Sequence, residues 1–189
     1  RVNPSHFFMR LGVMCSGKGT NFQNIVTNQE VNQHEVVLML HNTKDCGAAK
    51  RAAKYGIPHC RVPHKEEEKM IQLFEAWRVD LIILAGYMRV LKKPSEFHCP
   101  IINVHPSLLP KYKGLHAVEQ ALESGDKITG CTVHYVNEEL DGGEIILQGE
   151  VPIEPDDTID SLTRRIQLKE YEILPHAIAM IQLQNHRQN

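Results

Sequence analysis

The chain has 189 residues, enough for one α/β domain or two intimately packed halves with a sizeable core. Its 42% hydrophobic and 23% charged content is ordinary for a soluble globular protein, and a net charge of −2 supplies no overall field for nucleic acid or an anionic membrane. Five scattered cysteines (Cys15, Cys46, Cys60, Cys99, Cys131) form no C-x-x-C pair, which argues against a disulfide framework or cysteine-rich zinc site and for a reducing, cytoplasmic setting.

Near the start, "HFFMRLGVMC" is too short, and too interrupted by Arg10, for a signal or membrane segment. "FFMRLGVMCS" instead reads as a buried first strand ending at Gly17, and "TNFQNIVTN" as the helix that follows. "EVVLMLHN" is a second apolar strand. "CGAAKRAAKYG" is an alanine-rich helix stopped at Gly56, and "HCRV" a short strand. "KEEEKMIQLFEAWRV" is a helix with Met70, Leu73, Phe74 and Trp77 on one face; "LIILAG" is a short buried strand. This β-α-β-α-β-α-β order predicts a mostly parallel sheet with helices on both faces. "PIINV" adds a strand, "HPSLLPKYKG" a proline-rich loop and "LHAVEQALES" a short helix. "KITGCTVHYV" and "EIILQGEVPI" are joined by so short a connection that they are antiparallel or locally looped. A long C-terminal helix closes the chain, with Pro175 expected to kink or split it.

The first strand–helix junction, "GVMCSGKGTN", matches the front of a triphosphate-binding loop, but the match fails in its details. Gly12 sits inside the strand, Gly19 stands where a magnesium-binding hydroxyl belongs, and Asp80 precedes its strand rather than following it. A dinucleotide loop fails too: Phe22 replaces the third glycine, and the second strand ends at Asn42 without an acid. A ligand-free tight turn is one remaining reading. The favoured one is a monophosphate held by backbone N–H groups near Gly19, Thr20 and Asn21, where absent side chains admit the anion and the helix N-terminus attracts it.

"IINVHPSLLP" places Asn103 and His105 two residues apart at the carboxyl end of a strand, on one face. "ELDGGEI" offers Asp141 on a loop whose glycines permit close backbone approach. An amide donor, an imidazole and a carboxylate suit acyl transfer to an amine. The same residues also suit a core histidine, an asparagine in a turn and an acidic turn residue; spacing alone leaves both readings open. His59, Cys60 and His64 lie close together without a metal-binding motif, so no metal is expected. Ser107 lacks the G-x-S-x-G elbow of a serine hydrolase.

"SGKGTNFQ", "LAGYMRVL", "INVHPSLLPKYKG", "GCTVHYVNEELDGGEIILQ" and "RIQLKEYEILP", in this order, resemble the phosphoribosylglycinamide formyltransferase family, from about Leu11 to the final helix. The resemblance implies a Rossmann-like sheet with a C-terminal mixed-strand extension. It implies a single formyltransferase domain, with a phosphate-binding half at about 8–100 and a catalytic, folate-binding half at about 101–189. The implied reaction moves the formyl group of 10-formyltetrahydrofolate, a co-substrate, to the amine of glycinamide ribonucleotide in purine synthesis. Asn103, His105 and Asp141 match the catalytic trio, and Gly19, Thr20 and Asn21 the 5′-phosphate loop. Gln167 and Glu170 match positions reaching that phosphate and the ribose. Met88, Arg89, Val90 and Leu91 match the segment flanking the folate, with Leu140 and Gly142 in the loop that wraps the pterin; Thr132 is expected to orient the site.

The expected partners are these small molecules alone, without nucleic acid or membrane, in a monomer or homodimer. The alternatives are a formyltetrahydrofolate hydrolase, which shares the trio but normally carries an added N-terminal domain; a methionyl-tRNA formyltransferase, which carries a basic C-terminal domain; and a non-catalytic nucleotide-phosphate binding module. "SGKGTN" fits the transferase better than the hydrolase.

Overall fold

Side chains buried on both faces make β1 (Met9–Cys15) a central strand: Leu11, Val13, Met14 and Cys15 are all wholly inaccessible. In this computed structural model, which describes residues 8–188, β1 pairs in parallel with β2 (His34–His41) and with β4 (Leu81–Leu84). The short β3 (His59–Arg61) extends the other edge of β2. The chain divides into two units, one ending at Ile101 and one starting at Ile102. Within the first unit the strand order is β3-β2-β1-β4, every pairing parallel. Such strands are buried on both faces, which is why they read as continuous apolar runs without alternation.

Four helices lie between these strands. α1 (Thr20–Thr27) buries Phe22, Ile25 and Val26. A single turn, α2 (Gln29–Asn32), follows it and buries nothing. α3 (Gly47–Lys54) buries Ala48 and Ala52, whose small side chains let it lie close against α1 and β2. α4 (Glu67–Ala76) buries Met70 and Phe74 as expected. Trp77 departs from expectation: it sits just past the end of α4, 37% exposed, and its carbonyl accepts two N–H bonds from Arg10. The first strand is also shorter than expected. It stops at Cys15, and Phe8 lies exposed ahead of it, while Phe7 falls outside the described residues.

The second unit carries β5 (Ile101–His105), α5 (Ala117–Ser124), β6 (Ile128–Tyr135), β7 (Ile145–Pro152) and α6 (Ile159–Arg187). β6 pairs antiparallel with both β5 and β7, resolving the two options left by the short "NEELDGG" connection. α6 starts on a capping box: Thr158 accepts from the Ser161 N–H, and the Ser161 hydroxyl accepts in return from the Thr158 N–H. The helix runs unbroken through Pro175, so it is not split there. Proline removes one backbone N–H from the ladder; the flanking Leu174, Ala177 and Ile178 are wholly buried, and α6 packs on β6 and β7. The architecture is α/β: mostly parallel strands, a mixed C-terminal extension and a long closing helix.

Candidate functional site

Alternation along β5 turns Asn103 and His105 to the same side, and the antiparallel register sets them opposite His134 and Thr132 respectively. His105 is 6% exposed, and its Nε2 donates to the carbonyl of Tyr112 at 2.8 Å. Thr132 holds the loop between them. Its hydroxyl donates to Ser107 O at 2.7 Å and accepts from Leu109 N–H at 3.1 Å and from Gln148 Nε2 at 3.0 Å. Ser107 in turn donates to Lys111 O at 2.6 Å, next to Tyr112. Thr132 thereby fixes the backbone of the loop that leads to the Tyr112 carbonyl.

Asp141 lies in the turn after β6 with φ at 50°, a left-handed conformation that a short polar residue tolerates. Its side chain is 8% exposed. One carboxylate oxygen accepts the Gly114 N–H at 2.7 Å and lies 3.6 Å from His105 Nδ1. The other lies 3.7 Å from His134 Nε2. His105 and Asp141 are thus close, at an ion-pair distance just longer than a hydrogen bond.

This geometry gives the two His105 ring nitrogens different partners. A carbonyl only accepts, so Nε2 keeps its hydrogen whether the ring is neutral or charged. Nδ1 is the nitrogen that faces Asp141.

In the first unit, Gly19 caps α1 in the left-handed conformation, φ 75°. A side chain there would also meet Ala48, whose Cβ lies 2.6 Å from the position of an added Cβ. Glycine is required on both counts. The loop turns its carbonyls toward α3: Gly17 O accepts from Ala48 N–H, and Lys18 O from Arg51 Nε at 2.7 Å. Thr20 opens α1, Asn21 is 9% exposed, and the Lys18 side chain points to solvent. First-turn N–H groups of a helix have no intrahelical acceptor, which suits an anion at this end.

Ser16 links this loop to the segment read as folate-flanking. Its hydroxyl donates to Asn42 at 2.7 Å and accepts the Met88 N–H at 2.8 Å. Glu67 anchors the far end, its carboxylate accepting the N–H groups of Lys92 and Lys93 at 2.9 to 3.1 Å. Between these anchors Met88, Arg89 and Val90 are exposed, whereas Leu91 is buried and holds the segment to the core. In the second unit Leu140 is half exposed, and Gly142 closes a turn on Glu139 O at 3.1 Å. On α6 Gln167 is exposed and Glu170 buried. Among the described residues no three His, Cys, Asp or Glu side chains are grouped to hold a metal, and no helix is long and apolar enough to cross a membrane.

Residues 9–178 match the formyl transferase family model. The chain belongs to the formyl transferase family. Among solved structures it is similar to phosphoribosylglycinamide formyltransferase from Anaplasma phagocytophilum, at 39% identity and TM-score 0.87, covering 93% of this chain and 87% of that one. Glycinamide ribonucleotide transformylase 1 from Symbiobacterium toebii gives 36% identity and TM-score 0.89, over 96% and 90%. Among curated relatives, the trifunctional purine biosynthetic protein adenosine-3 of Drosophila melanogaster is 43% identical over 185 residues, 91% of this chain. The Homo sapiens protein of that name is 36% identical over 183 residues. The chain spans 14% and 18% of these two relatives' lengths.

Within this formyl transferase, sequence reasoning passed over His134, Tyr112, Gly114, Ser16 and Glu67. His134 carried a signal: it follows Thr132 by two residues on a strand, so it shares that face. Tyr112 and Gly114 contribute backbone groups, which residue type does not reveal. Glu67 reads as one of three glutamates opening a helix, and only the fold distinguishes the buried one.

Proposed function

We propose that the protein transfers the formyl group of 10-formyltetrahydrofolate to the amine of glycinamide ribonucleotide. The observation that carries this reading is the pairing of His105 with Asp141 beside Asn103 on the same face of β5, all three inside the span matched to formyl transferase. The uncharged amine attacks the formyl carbon, and the carbonyl oxygen becomes an oxyanion. An Asn103 N–H and the protonated Nδ1 of His105 stabilise it, while Asp141 stabilises the charged ring. The adduct then collapses: the bond from carbon to the folate nitrogen breaks, and that nitrogen takes a proton. The former amine, having lost one proton, carries the formyl group.

Gly19, Thr20 and Asn21 bind the 5′-phosphate in this reading, and Gln167 and Glu170 reach phosphate and ribose. Met88, Arg89, Val90 and Leu91, with Leu140 and Gly142, receive the folate. The reading places residues of about 8–100 in phosphate binding and those of about 101–189 in catalysis, in a cytoplasmic monomer or homodimer. The deciding experiment follows folate product with and without glycinamide ribonucleotide. Formation that depends on the acceptor supports the transferase; equal formation without it replaces this reading with a hydrolase.

A further inference from the structure

Asn103 and His134 are directly opposed on the β5–β6 ladder, and Asn103 Nδ2 lies 3.2 Å from His134 Nε2. The other ring nitrogen of His134, Nδ1, is 2.9 Å from the carbonyl of Tyr135. Because that carbonyl only accepts, Nδ1 carries hydrogen. The ring is 2% exposed, and burial lowers its proton affinity below that of an ordinary histidine. Asp141 favours a charge on it and His105 opposes one. A neutral ring with hydrogen on Nδ1 leaves Nε2 as a bare acceptor, so the end of the Asn103 amide that faces it is the nitrogen.

The Tyr135 backbone is tied to the "ELDGGEI" loop through its N–H, and the loop passes close to its carbonyl. A Cβ on Gly143 would lie 1.7 Å from that oxygen, so only glycine lets the loop backbone pass, and Tyr135 N–H donates to Glu144 O at 2.9 Å. The loop thereby fixes the acceptor that selects the His134 tautomer. The tautomer fixes the Asn103 amide. With one Asn103 N–H given to His134, the second is the amide hydrogen left for a substrate oxygen.

We propose that His134 is a positioning residue for formyl transfer: its Nδ1-protonated ring accepts one Asn103 N–H at Nε2 and holds the other in place for the developing oxyanion. The inference rests on the proposed reaction, but its geometric core is testable without it. Long-range ¹H–¹⁵N correlation spectra of the wild-type protein at neutral pH should show His134 protonated on Nδ1 and bare on Nε2. A proton on Nε2 overturns the proposal, whatever the protein catalyses. Kinetically, His134→Ala should lower kcat at least about tenfold, below the loss seen when an oxyanion donor itself is removed. The KM of both substrates should stay within about twofold. In an Asn103→Ala background the same change should have no further effect on kcat, because the partner it positions is gone. An equal drop in both backgrounds means a merely structural role and overturns the proposal. If His134→Ala does not fold, His134→Gln, which keeps an acceptor oxygen, enters the same cycle and the tautomer still decides. Wild-type protein that fails to formylate glycinamide ribonucleotide would overturn the proposed reaction and leave the tautomer result standing.

Discussion

The carboxylate of Asp141 stands 3.6 Å from Nδ1 of His105, with both side chains less than a tenth exposed. Since His105 Nε2 is committed to the Tyr112 carbonyl, Nδ1 is the ring nitrogen left to face Asp141. His105→Ala and Asp141→Asn should each lower turnover by about 10²- to 10⁴-fold, the range for a positioned proton-transfer group. Binding of both substrates should largely survive. Steady-state kinetics with equilibrium binding of glycinamide ribonucleotide separates the two effects; near-normal kcat in either variant removes the pair from the mechanism.

Gly19→Ala should be costly although it adds one methyl group. The left-handed conformation alone costs a residue with a Cβ about 1–2 kcal/mol. The added atom also meets Ala48. Urea denaturation should show a loss of at least that size. Loss of phosphate-loop geometry should weaken glycinamide ribonucleotide binding while formyl-folate binding holds. Unchanged affinity for the ribonucleotide would place its phosphate elsewhere.

Much of this arrangement was legible in the chain because it rests on local pattern. Continuous apolar runs such as "VVLML" and "LIIL" report strands buried on both faces. Two-residue spacing set Asn103 beside His105, and the glycines around Asp141 announced a loop that the backbone must approach closely. What stayed hidden depends on partners distant in sequence. Nothing near Glu67 says that its carboxylate binds the N–H groups of Lys92 and Lys93, and nothing near His105 says that Tyr112 supplies a carbonyl. Pro175 does not produce the split considered there, for a related reason. Its cost is local, whereas the burial of Leu174, Ala177 and Ile178 that keeps α6 continuous is tertiary.

Asp157 ties the turn before α6 to the helix: Arg165 donates to both of its oxygens, at 2.5 and 2.6 Å. These bonds, helped by Ser161, hold its carboxyl well below the usual range. A depressed folded-state pKa contributes stability above the unfolded value of about 3.9, and this is lost as pH falls through the folded value. Asp157→Asn should therefore be less stable than wild type at pH 7, and the gap should narrow below about pH 4. Urea midpoints at pH 7 and pH 3 check this. A gap that is the same at both would show that the ion pair adds nothing to stability.

Glu67 offers the sharpest separation of folding from folate binding. Its carboxylate is buried, and it accepts the backbone N–H groups of Lys92 and Lys93 just beyond the exposed Met88–Val90 segment. Glu67→Ala leaves those donors without this acceptor, and hydrogen bonds to a charged group contribute about 1.5–3 kcal/mol net. A loss of about 2 kcal/mol in denaturant stability is expected. The freed segment should raise the KM for 10-formyltetrahydrofolate roughly tenfold, equivalent to about 1.4 kcal/mol, with the KM for glycinamide ribonucleotide nearly unchanged. Glu67→Gln, which keeps one acceptor oxygen, should fall between the two. If both KM values rise together, the carboxylate supports the first unit as a whole. If only the folate value rises, it acts through the segment it anchors.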